Sequence, residues 1–181
     1  MTNKLITPRN IVIATAIFVA ALSRLFPHLP NFTPIAAMAL FGAVYFENKI
    51  LALLIPLATM FLSDIALEIT TGWGFHNTLI YVYISFILTS LMGFWVKRNT
   101  TIQTIAIGAV GSSVLFFIIT NFGVWAAGGF AGGLNGLNAT YVMGIPYFAP
   151  TLIGDVFFNT ILFGAFYLIQ RRNPALIRIK K

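Results

Sequence analysis

Cysteine is absent from the 181 residues, which removes disulfides, thiolate metal sites and cysteine nucleophiles from consideration. Acidic residues are nearly absent as well: Glu47, Asp64, Glu68 and Asp155 are the only four. Charged residues make up 8% of the chain against 59% apolar ones, too few to coat a water-soluble domain. Hydrocarbon is therefore the expected solvent. No P-loop, GxGxxG or HExxH spacing occurs, and no local Ser-His-Asp arrangement can be assembled, so the chain reads as a binder rather than an enzyme. The formal charge of +7 would suggest nucleic acid in a soluble protein. Here its distribution follows membrane topology instead, and the basic C-terminal tail suits anionic lipid headgroups, so no nucleic-acid partner is expected.

What is present is an alternation of apolar runs with basic clusters. Of eleven Lys and Arg, all but Arg24 fall at Lys4 and Arg9, Lys49, Lys97 and Arg98, and Arg171, Arg172, Arg178, Lys180 and Lys181. The connectors at 27–33, 71–77 and 123–145 contain neither residue. Basic residues near span ends are retained in the cytoplasm, so the pattern predicts both termini inside and these three connectors outside. The expected fold is an all-α integral membrane protein, a single domain over residues 1–181 forming a six-transmembrane-helix bundle. The spans are read at 10–26, 34–46, 50–69, 78–96, 101–122 and 146–170. Pro34 and Pro146 suit first-turn positions, and Pro27 with Pro30 ends the first span. The second span is short and joins the third through Glu47, Asn48 and Lys49 in a tight hairpin. A re-entrant element is the alternative for it. The Gly-rich stretch at 126–138 reads as a loop, either a flexible linker or a lid.

Charges inside the spans cost several kcal/mol unless paired or wetted, so they carry the functional information. Those are Arg24, Asp64, Glu68 and Asp155. Asp64 and Glu68 share a helix face by their spacing of four, as do Asp155 with Asn159 and Asn121 with Trp125. Arg24, His28 and Asn31 flank the outer end of the first span, and Trp73 and His76 occupy the second outer connector. These residues converge on an outward polar pocket with aromatic walls, as in small-molecule sites. Arg24 pairing with Asp64 or Asp155, and Asn121 or Asn159 bonding helix to helix, would account for the same residues structurally. Metal binding by the two His and the carboxylates lacks any ligand spacing, and neither metal nor cofactor is expected.

Arg24-Leu25-Phe26-Pro27-His28 with Pro30-Asn31-Phe32-Thr33-Pro34, Phe61-Leu62-Ser63-Asp64 and Thr120-Asn121-Phe122-Gly123-Val124-Trp125 resemble the signatures of an uncharacterised bacterial family of short multi-pass membrane proteins. More distantly, the size, helix number and outer loops resemble the S components of energy-coupling-factor transporters. The resemblance implies uptake of a small nutrient or vitamin-like molecule across the bacterial inner membrane, on the outer side, with a transmembrane coupling subunit and ATPases as partners. It implies docking through small residues on the first helix, here Ala16 and Ala20. On this reading Arg24 contacts an acidic group of the ligand, and Asp64, Asp155 and Asn121 bond its polar edge. Trp73 and Trp125 stack on its ring, and the loop from Gly128 to Asn138 closes over it. An ion-coupled carrier using Asp64, Glu68 or Asp155, and a membrane-embedded metal enzyme using His28 and His76, are the rival readings.

Overall fold

The structure is a computed structural model that describes residues 7–130, 132–173 and 176. Lys4, Ala131, Arg178, Lys180 and Lys181 lie outside the described residues. All regular structure among the described residues is helical: α1 (Pro8–Leu22), α2 (Ile35–Tyr45), α3 (Lys49–Thr71), α4 (Leu79–Val96), α5 (Ile102–Ala126) and α6 (Gly133–Arg172), with a 3-10 turn at Ser23–Leu25. Local chemistry starts and stops them. Thr7 accepts from the Asn10 amide ahead of Pro8, Asn48 accepts from the Ile50 amide, and Thr101 with Thr104 forms a capping box. Gly72 closes α3 with φ 71, a left-handed position open to glycine at little cost.

Five of the helices are long and apolar enough to cross a membrane; α2 is not. Its eleven residues reach about 16 Å, roughly half the thickness of a hydrocarbon core. The second of the six expected spans, read as short at 34–46, is thus too short to count among the helices of membrane-crossing length. Ile35 through Val44 are all buried, and α2 packs against each of the other five helices. A helix apolar on every side belongs at the centre, where the surrounding helices shield its backbone in place of lipid. Close approach depends on small residues. Gly42 of α2 meets Pro56 of α3, Gly93 of α4 meets Ala43 and Leu40, and Gly108 of α5 meets Leu40. Pro56 lies within α3, which continues through it to Thr71.

The last helix departs most from expectation. α6 begins at Gly133, thirteen residues before Pro146, and carries Pro146 and Pro150 in its interior. The Gly-rich segment is therefore a short connector followed by helix rather than a loop to Asn138. Packing overrides the weak helix propensity of its glycines. Gly136 and Thr140 are buried, Tyr141 donates to the Ile118 carbonyl across to α5, and its ring packs edge-on against Phe117. At forty residues, about 60 Å, α6 is too long to lie wholly within the hydrocarbon.

One end of the bundle gathers the described Lys and Arg residues other than Arg24. Arg9 donates to the carbonyls of Leu176 (2.6 Å) and Tyr45 (3.3 Å), and its guanidinium stands over the Phe166 ring at 5.5 Å. Lys97 donates to the Phe46 carbonyl. Lys49, Arg98, Arg171 and Arg172 sit at helix termini on this same end, so the two described ends of the chain meet there. Large apolar side chains such as Ile69, Ile80 and Ile102 remain exposed on the flanks, the surface that lipid covers in a membrane protein.

Candidate functional site

At the end of the bundle away from the basic clusters, the helices surround a cavity of about 490 Å³. Each wall comes from a different element. The turn after α1 supplies Arg24, the connector before α2 supplies Asn31 and Thr33, and α3 supplies Met60. His76 and Thr78 precede α4, which adds Val82. α5 contributes Phe116, Phe117, Thr120 and Asn121, while α6 contributes Thr140, Gly144, Tyr147 and Thr151; Phe130 stands at the connector between them.

Arg24 is held from behind. Its Nη2 lies 2.7 Å from Asp64 Oδ1, and its Nη1 donates to the Ser63 hydroxyl and, at 3.5 Å, to the Met60 carbonyl. Asp64 is fully buried and its other oxygen accepts from the Tyr83 hydroxyl at 2.7 Å. The network joins α1, α3 and α4. Of the two pairings open to Arg24 in the sequence, Asp64 is the one formed. Asp155 is elsewhere, midway along α6, where it accepts from the Ser113 hydroxyl at 2.6 Å.

The connectors are folded onto the helices rather than loose. Glu68 accepts from the Phe75 amide at 2.9 Å, and Gly74 lies so close to Asp64 and Glu68 that no side chain fits there. His76 and Thr78 share a 2.9 Å hydrogen bond. Asn31 holds φ 63, the left-handed region that non-glycine residues rarely enter, at the rim of the cavity. Phe32 beside it packs on Phe157 and Phe158, which fastens this connector to α6.

Among the residues singled out in the sequence, the structure brings Arg24, Asn31, His76 and Asn121 to the cavity wall, with Asp64 behind Arg24. His28 is exposed and bonds the Leu29 carbonyl; Trp73 is 79% exposed; Trp125 packs on Phe122. None of these three lines the cavity. Asn159 lines a second cavity, about 690 Å³, between α5 and α6 nearer the basic end, with Ile105, Phe163 and Tyr167. Ala20 is buried and Ala16 packs against the core from a partly buried position, whereas Ile11, Phe18 and Val19 form the exposed face of α1.

The threonines and Tyr147 escaped the sequence reading. Thr140, Gly144, Tyr147 and Thr151 recur at spacings of four, three and four, one face of a helix, but the pattern is visible only once 133–145 is helical. Gly144 has a specific reason: a Cβ there would fall on the Asn121 side chain. Among the described residues, no group of three or more His, Cys, Asp or Glu could hold a metal ion.

A family model described as a family of unknown function (DUF6580) matches residues 4–176. No curated protein and no solved structure matches the chain.

Proposed function

The chain belongs to the DUF6580 family, and for this member we propose a substrate-binding membrane protein that captures a small molecule on the outer face of the bacterial inner membrane for uptake. One observation carries the reading. A cavity of about 490 Å³, within the range of small-molecule sites, opens at the end of the bundle opposite the basic clusters. The positive-inside bias then puts the cavity outside and both termini in the cytoplasm, with α2 turning back through the bundle core between α1 and α3. Without a nucleotide-binding motif in this sequence, uphill movement needs a partner ATPase of the energy-coupling-factor kind or an ion gradient.

The absence of cysteine makes the orientation directly testable. Single Trp73→Cys and Asn99→Cys variants carry their only thiol at opposite ends of the bundle. In intact cells a membrane-impermeant maleimide should label position 73, and position 99 only after permeabilisation. The reverse pattern would turn the cavity inward and end the uptake reading.

A carrier coupled to protons or sodium is the second reading, favoured by Asp155. This carboxyl is 2% exposed in the middle of the bundle, and no described cation pairs with it. Purified protein in liposomes separates the two. Accumulation driven by a proton or sodium gradient, abolished in Asp155→Asn, selects the carrier; co-purification of an ATPase complex from native membranes selects the binding subunit.

A further inference from the structure

The polar groups of the outer cavity are not equally free to bind, and their existing hydrogen bonds decide what they can offer. Thr120 donates its hydroxyl proton to the Phe116 carbonyl at 2.8 Å, Thr140 to Gly136 at 2.9 Å and Thr151 to Tyr147 at 2.8 Å. A hydroxyl has one proton and two lone pairs, so each of these three turns only acceptor capacity towards the cavity. Asn121 commits one amide N–H to the Phe117 carbonyl at 2.8 Å, which leaves its oxygen and one N–H.

Charge at the wall is likewise committed. The Arg24 guanidinium is engaged by Asp64, Ser63 and Met60, and both Asp64 oxygens are held, one by Arg24 and the other by Tyr83. The pair sums to zero. Against the Thr120, Thr140 and Thr151 wall an anion would meet hydroxyl lone pairs, with a guanidinium beside it already paired to Asp64; a cation would find no carboxylate among the lining residues, and Asn31, His76 and Tyr147 add only uncharged polar groups.

We propose that the cavity recognises an uncharged molecule rich in N–H and O–H donors, carried on a flat apolar ring. The site would bind chiefly by accepting hydrogen bonds at Thr120, Thr140, Thr151 and Asn121, with Phe116 and Phe117 against the ring. Arg24 is then a positioning residue that ties α1 to α3, not a receptor for an acidic group. This inference rests on the small-molecule reading of the cavity and adds to it the polarity of the ligand.

Two measurements on the full chain test it. Small molecules extracted from purified wild-type protein are compared by mass spectrometry with those from Thr120→Val/Thr140→Val, a nearly isosteric change that removes two acceptors. Thermal unfolding in detergent is followed with two probe pairs that differ in charge, nicotinamide against nicotinate and adenosine against adenosine monophosphate. The inference expects a neutral, donor-bearing species reduced about tenfold in the variant, with only the neutral member of a probe pair raising the unfolding temperature. A variant that unfolds at the wild-type temperature without probe establishes that the loss is not one of folding; if it does not, Thr151→Val takes its place. Enrichment of a carboxylate, phosphate or quaternary amine, or equal stabilisation by an anionic probe, overturns the inference and leaves the small-molecule reading intact. So does a species retained equally by wild type and variant. No bound species and no stabilisation by any probe overturns both.

Discussion

Asp64→Asn and Arg24→Gln are each expected to cost roughly 3–5 kcal/mol of stability, and the two together much less than their sum. The cost comes from stranding rather than from lost attraction. Asp64 is fully buried on α3, so removing Arg24 leaves a carboxylate with only the Tyr83 hydroxyl to offset its lost hydration. Removing the carboxylate charge leaves the guanidinium, one-tenth exposed, with the neutral Ser63 and Met60 oxygens. In Arg24→Gln/Asp64→Asn neither charge remains, and the amide oxygen introduced at position 64 can still accept from Tyr83. Denaturant or thermal unfolding of the four proteins in one detergent gives the coupling directly. Independent, additive losses would mean that the pair does not act as a unit across α1, α3 and α4.

Arg24 and Asp64 could be singled out in the sequence because charge inside an apolar run is conspicuous. Which partner Arg24 takes could not be, since Asp64 and Asp155 offer it the same chemistry until the depth of each along its helix is known. That depth hinged on where the last helix begins. Gly and Pro signal a break locally, yet the segment from Gly133 is held helical by contacts on α5, through Tyr141 and the Asn121–Gly144 approach, that no local rule contains. Asp155, expected to join the outward pocket, thereby lies midway along α6 and outside the cavity wall, and the Thr140 to Thr151 face comes into existence. Helix starts fared better: those read at 10, 50 and 101 fall within two residues of Pro8, Lys49 and Ile102, and the hairpin through Glu47, Asn48 and Lys49 forms as expected. The basic clusters told which residues share an end of the bundle. Threonine told nothing, because an apolar helix accommodates it anywhere by turning its hydroxyl onto its own backbone.

Central α2 makes the largest packing effect predictable from one atom. Gly93→Ala should destabilise the protein by about 1–3 kcal/mol, although Gly→Ala inside a helix ordinarily gains up to about 1 kcal/mol of propensity. The added Cβ would lie 2.5 Å from the Ala43 Cβ and 3.0 Å from the Leu40 carbonyl oxygen, closer than carbon and oxygen tolerate. Relief requires α2 to move, and α2 has no free side: on its other faces it meets α1, α3, α5 and α6. The control is built into the same fold. Gly164 of α6 has nothing within 4 Å of its Cβ position, so Gly164→Ala should be neutral or stabilising under identical conditions. Adding Ala43→Gly to Gly93→Ala removes the Cβ-to-Cβ overlap but not the approach to the Leu40 carbonyl, so it should restore part of the loss and not all. Unfolding measurements on the three variants check the sequence of effects. Equal stability of Gly93→Ala and Gly164→Ala would show that α4 does not press on α2, and would remove the central helix from its place in the fold.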